Sequence, residues 1–180
     1  MICRKCGKRK ATVNISSNPY CQGCFLKVVD KRIRKTLRVD YNVKIRNTIM
    51  LLDDNSAGAI VLKNVLDNAL RNYNFKVLKR INKSYNKIVI PATLEDYVSD
   101  YLGAVFRGKG WKKNKKEIFP LRNVLDAEAE KYCMIKKLKF SKKERDKYML
   151  DIIKMLDNIE KSYPGVKFSM MKSIMVMEKL

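Results

Sequence analysis

The spacing C-x2-C-x14-C-x2-C, formed by Cys3, Cys6, Cys21 and Cys24, constrains this chain more than any other feature. Each C-x2-C pair sets two sulfurs on one side of a tight turn, and two such knuckles supply the four sulfurs of a closed tetrahedral metal site. Gly7, Ser16, Ser17, Asn18 and Pro19 are suitable turn formers beside and between the pairs. Residues 1–24 are therefore expected to form a zinc finger whose zinc is structural, since four sulfur ligands leave no open position for catalysis. Iron in a rubredoxin-like arrangement is chemically compatible with the same sulfurs. Disulfides are the competing use of four cysteines, and paired knuckles in a cytosolic chain argue against them. Cys133 lies in a helical pattern beside Tyr132 and is read as a core cysteine rather than a reactive thiol.

Charge narrows the partner. The 180 residues carry 40 Lys and Arg against 18 Asp and Glu, a formal net charge of +22. Four thiolates on one divalent ion would lower this to about +20. Such an excess points to a polyanion, of which nucleic acid is the commonest. There is no histidine. That removes the usual general base and any His-containing triad. No apolar run approaches the roughly 20 residues that span a bilayer. Met-Ile-Cys-Arg-Lys-Cys lacks the apolar stretch of a secretory signal. A cytoplasmic protein without membrane contact is expected.

Residues 25–38 read as an amphipathic helix. Phe25, Val28, Val29, Ile33 and Leu37 make an apolar stripe, and Lys27, Lys31, Arg32, Arg34, Lys35 and Arg38 fill much of the remainder. With only Asp30 to pair against them, these cations are expected to contact phosphate. Residues 45–52 read as a strand, followed by the turn Asp53-Asp54-Asn55-Ser56-Ala57-Gly58 and a helix with Ile60, Val61, Val65, Leu66 and Leu70 facing inward. Residues 75–81 and 87–90 read as further strands. Residues 94–106 read as a helix with Leu94, Val98, Leu102, Val105 and Phe106 on one face. This order implies a three-layer α/β domain with a mainly parallel sheet.

Residues 107–117 combine two glycines, five lysines and the only tryptophan. A mobile basic loop is expected, with Arg107, Lys109, Lys112, Lys113, Lys115 and Lys116 as phosphate ligands. Trp111 either stacks on an unpaired base or packs back on the core. Residues 121–138 and 141–161 read as two more amphipathic helices, the second opened by a capping box of Ser141 and Glu144. Tyr163-Pro164-Gly165 ends it. The Met-rich tail (Met170, Met171, Met175, Met177) fits either core filler or a partner surface.

The order of segments resembles the cytosolic tRNA 2-thiolation enzymes, the thiouridylases of archaeal and eukaryotic type. Cys-Gln-Gly-Cys-Phe followed by Val-Val-Asp-Lys-Arg-Ile-Arg-Lys-Thr-Leu looks like their zinc finger and first basic helix. Residues 45–70 stand where the nucleotide-binding loop stands. Thr93-Leu94-Glu95-Asp96 through Phe106-Arg107-Gly108 looks like a Leu-Asp-Asp helix ending in Leu-Arg-Gly. Pro120-Leu121-Arg122-Asn123-Val124 with Tyr132 resembles one part of the C-terminal signature. Glu160-Lys161-Ser162-Tyr163-Pro164-Gly165-Val166-Lys167-Phe168-Ser169 resembles the other, and is the most specific piece.

The resemblance implies a zinc finger at 1–24, a basic linker helix at 25–40, and at 41–180 a truncated, adenine-nucleotide-hydrolase-like domain of the PP-loop kind with C-terminal helices. Departures from the pattern shape the functional expectation. Active members carry Ser-Gly-Gly-x-Asp-Ser, a loop whose N–H groups cradle a pyrophosphate. Here Asp53 and Asp54 stand where phosphates would sit, and the nucleotide-binding loop is degenerate over Asp53, Asp54, Asn55, Ser56, Ala57 and Gly58. The catalytic cysteines, which also hold the family's iron–sulfur cluster, have no counterpart between residues 25 and 132. The second zinc finger has no counterpart either. The resemblance thus implies a pseudoenzyme with structural zinc and without ATP or an iron–sulfur cluster. As a tRNA-binding subunit in wobble-uridine (U34) 2-thiolation, it would form a heterodimer or larger assembly with an active thiouridylase homologue. Two other readings stay open: a general RNA- or ribosome-binding zinc protein, and a divergent tRNA-adenylating enzyme.

Overall fold

The computed structural model describes residues 1–15, 18–44, 47–69, 74–80, 84–111 and 113–178. The N-terminal unit is an antiparallel hairpin of β1 (Val13–Ile15) and β2 (Asn18–Tyr20), followed by α1 (Gln22–Lys35). Phe25, Val29, Ile33 and Leu37 are buried, as the helical spacing predicts, and a wide π turn over Thr36–Asp40 ends the helix.

The main domain runs β3 (Thr48–Leu52), α2 (Ala57–Ala69), β4 (Asn74–Leu78), β5 (Lys87–Val89), α3 (Leu94–Phe106), β6 (Glu117–Ile118), α4 (Asp126–Lys136), α5 (Lys147–Ser162) and α6 (Val166–Met177). The strands form one sheet in the order β4-β3-β5-β6, and every pairing is parallel. This is the α/β architecture with a mainly parallel sheet that the segment order predicted. Side chains of a strand alternate between faces. Ile49 and Leu51 join a core with α1, α2 and α4, while Met50 and Ile88 are buried outside that cluster. A second cluster, built on Leu94, Tyr97 and Val98, packs α3 against α5 and α6.

Several expectations need correction. The first strand begins at Thr48, and Ile45, where it was expected to begin, lies outside the described residues, as does Leu70. The second ends at Leu78 rather than at Ile81, also undescribed. The bounds of α3 agree with expectation, but its buried face does not. Val105 and Phe106 are exposed, while Glu95, Asp96, Tyr97, Ser99 and Gly103 are buried. Residues 121–125 are not helical, because the Glu128 carboxylate accepts the Leu125 N–H at 3.0 Å and starts α4 at Asp126. Ser141 and Glu144 form no capping box. Residues 141–145 are not helical, and α5 starts behind Asp146, whose carboxylate accepts the Met149 N–H at 2.7 Å. The Met-rich tail is helical as α6, with Met171 buried and Met177 about half exposed.

Candidate metal centre and nucleic-acid interface

Local backbone geometry assembles the four cysteines. The Cys3 N–H donates to the Arg9 carbonyl at 2.9 Å, and the Gly7 N–H returns to the Cys3 carbonyl at 2.9 Å. Gly7 turns at φ +62°, a conformation that costs glycine little. Cys21 precedes α1 and Cys24 sits in its first turn, so the helix start carries the second knuckle. All four Sγ atoms lie within 4.8 Å of one another, with Cys6 and Cys21 at 4.0 Å. A tetrahedral ion with metal–sulfur bonds of about 2.3 Å needs sulfurs about 3.8 Å apart, so the group fits a single ion. Burial raises the Cys3 thiol, but hydrogen bonds from the Cys21, Cys6 and Lys5 backbones outweigh it and bring it down to about 6. Burial and hydrogen bonding to Cys21, Cys3 and Cys6 push Cys24 up to about 12. Four thiolates this close ionise together only around a cation.

The outer face of α1, which follows the second knuckle, is strongly basic. Lys27, Lys31, Arg34, Lys35 and Arg38 are exposed, and with Asp30 and Val39 they line an open groove of about 720 Å³. Cations near a helix C-terminus are favoured by the helix dipole. Asp30 is the one acid among the described residues that line the groove, and it accepts the Tyr132 hydroxyl at 2.9 Å. Arg32 departs from expectation. It turns inward to both oxygens of buried Glu128 at 3.0 Å and to the Asn123 carbonyl at 3.3 Å. It fastens α1 to α4 and is not among the residues that line the groove. Just beyond the same C-terminal end of α1, buried Arg122 holds Asp40 at 2.7 Å and the Tyr41 hydroxyl at 3.1 Å. The stretch 120–124 is thus a bracket for the basic helix.

The degenerate loop lies where strand order reverses. β4 and β5 flank β3 on opposite sides, so the crevice beyond the carboxyl ends of β3 and β5 is the place where open α/β sheets bind ligands. There the loop closes on itself. The Asp53 carboxylate accepts the Asn55 N–H at 2.9 Å, the Asp54 carboxylate accepts the Ser56 N–H at 3.0 Å, and Asn55 sits at φ +58°. The Ser56 hydroxyl accepts the Ala59 N–H at 3.3 Å and caps α2. A Cβ on Gly58 would stand 2.9 Å from the Pro91 carbonyl and 3.0 Å from Leu121, so the position has no room for a side chain.

Residues 141–145 lie across this crevice as a strap, which the sequence reading missed. The Ser141 N–H donates to the Asn55 carbonyl at 2.8 Å. Lys143 Nζ meets the Pro91 carbonyl at 3.0 Å, Asp96 at 2.8 Å and Asp54 at 3.7 Å. Arg145 bridges Asp96 at 2.7 Å and Asp126 at 2.8 Å. Burial would raise the Asp96 carboxyl, but Lys143 and Arg145 hold it below its ordinary value. About 70 Å³ remains open. A pocket for a drug-sized ligand has about 300–1,000 Å³. The adjacent acids Glu95 and Asp96, at a helix start among apolar residues, were the signal that buried cations must come from elsewhere. Lys167 supplies the second, at 2.9 Å from Glu95 and 2.6 Å from Asp157.

The basic segment 107–117 divides. Arg107, Lys109, Lys115 and Lys116 are exposed, and Lys112 lies outside the described residues. Lys113 is no free cation: it pairs with Glu178, donates to the Tyr97 hydroxyl oxygen at 2.9 Å, and faces the Tyr97, Trp111 and Phe119 rings. Trp111 packs back, with its ring N–H on Asp100 at 2.7 Å and edge contacts to Tyr97 and Tyr101. Cys133 is buried as expected, with its thiol pushed up to about 11 by burial. No described helix is long and apolar enough to cross a membrane.

No family model matches this chain, and no curated protein matches it. Among solved structures it is similar to the U34-tRNA thiolase NcsA from Methanococcus maripaludis, described with its 4Fe–4S cluster. The TM-score is 0.77 at 19% identity, over 98% of this chain and 87% of that one. The likeness shows a shared fold. It also corrects one expectation: with a cluster in that neighbour, an iron–sulfur cluster is not excluded here by the lack of cysteines between residues 25 and 132.

Proposed function

We propose that this chain is a non-catalytic, tRNA-binding subunit acting in 2-thiolation of the wobble uridine, beside an active ATP-using homologue. The filled crevice at the switch point carries this reading. Lys143 and Arg145 occupy it from within, and Asp53 and Asp54 present carboxylates where a nucleotide would bring phosphates. A like-charge approach in a partly desolvated loop costs several kcal/mol. The thiolase fold of the neighbour supports the link to tRNA, and the basic groove on α1 supplies a surface for phosphate.

Zinc is the ion we assign to Cys3, Cys6, Cys21 and Cys24. Sulfurs within 4.8 Å suit one tetrahedral ion. A four-iron cubane holds its thiolates farther apart, because the cluster's own edges add to the iron–sulfur bonds. The ion would fix the start of α1, and through it the groove.

Gel shifts with tRNA over a salt series test the reading. Affinity falls with salt at a log–log slope of about 0.7–0.9 per phosphate neutralised. Purification from the native host brings down a thiouridylase homologue. Salt-insensitive binding, or purification without such a homologue, contradicts the proposal.

A further inference from the structure

A cleft of about 210 Å³ lies between the C-terminal half of α3, the following loop and the start of α5. Gly103 lies in it, where a Cβ would stand 3.3 Å from the Tyr148 ring, so Tyr148 lies close against α3. The Arg107 guanidinium stacks over the Tyr148 ring at 4.1 Å and is itself exposed. Trp111 lines the cleft as well. Its N–H bond to Asp100 and its edge contacts to Tyr97 and Tyr101 fix the indole, which stays partly exposed. Lys109 stands exposed at the cleft.

Flat rings, a pre-stacked guanidinium and a nearby ammonium are the groups that receive an unpaired base and its phosphate. Paired bases keep their faces inside the duplex and have nothing to stack. The volume lies below the 300–1,000 Å³ or so of a drug-sized pocket and suits one heterocycle. The α1 groove differs in kind, since no aromatic ring lines it. We propose that the cleft formed by Arg107, Tyr148 and Trp111 binds one unpaired nucleobase of an RNA, while the α1 groove binds phosphate backbone. The proposal rests on the RNA-binding reading above, but on different residues. The packed-back tryptophan is thereby a preorganised stacking wall, not a mobile one.

Trp111 is the only tryptophan, so its emission reports on the cleft. The full chain is titrated with a short single-stranded oligouridylate and with an RNA duplex of equal length. A saturable emission change is expected with the single strand and not with the duplex. Arg107→Ala weakens the single strand at least about fivefold, the lower end of one lost stacking contact, and the duplex by less than about twofold. Unchanged emission at saturating single strand, equal responses to both RNAs, or equal weakening of both by Arg107→Ala would overturn the proposal. The double variant K31E/R34E, run alongside, separates the two claims. If it loses duplex binding while emission never responds, the groove stands and the cleft fails. If it binds duplex as the parent does while the single strand shifts emission, the groove fails and the cleft stands.

Discussion

Asp96 carries three cationic and hydroxyl partners while almost wholly buried, and the strap depends on it. Its depressed carboxyl sets a sign. The contribution is fully present above the unfolded value of about 3.9, and is lost as pH falls through the lower folded value. Asp96→Asn should therefore flatten the acid limb of the thermal midpoint against pH, and an unchanged limb would refute the assignment. Arg145→Met removes one partner from two carboxylates, and a loss of about 3 kcal/mol in urea unfolding is expected. Gly58→Ala should cost about 1–3 kcal/mol by crowding the Pro91 carbonyl, measured the same way. At this scale the cysteine group was readable from spacing alone, because two knuckles admit few other uses. Arg32 was not. Its neighbours in sequence are solvated cations, and only the fold brings Glu128 to it.

Among the elements, α1 was legible because its stripe of Phe25, Val29, Ile33 and Leu37 has one period and one face. The start of α5 was not, since Ser141 and Glu144 have capping spacing but the ion pairs of Lys143 and Arg145 hold that segment across the crevice outside any helix. β6 escaped notice because two residues carry no period, and only the edge of β5 makes Ile118 a strand residue. The bracket beyond the C-terminal end of α1 makes its own prediction. Arg122→Met leaves Asp40 without its partner and frees the π turn. A stability loss of about 3 kcal/mol is expected, together with weaker tRNA binding in gel shifts. Removing the metal with a chelator should fray the first turn of α1 and weaken tRNA binding, while circular dichroism keeps the signal of the parallel sheet. A sheet that unfolds with the chelator would show that the ion holds more than its own unit.

The whole molecule pairs an exposed basic helix with a crevice that its own chain has closed. The parallel order was predictable from strands alternating with helices. The closure was not, because it joins residues near 54, 96, 126 and 143 that only the folded sheet gathers. The absence of paired glycines pointed to a missing pyrophosphate cradle, and the folded chain shows Lys143 beside that loop, paired with Asp96 and near Asp54. On the proposed reading, a fold shared with a thiolase, its crevice filled and its basic helix exposed, serves as a scaffold for holding tRNA. Calorimetric titration of ATP with magnesium into the chain, alone and saturated with tRNA, tests this most directly. The account predicts no binding heat in either state, with tRNA itself bound. Stoichiometric ATP binding in either state would contradict it.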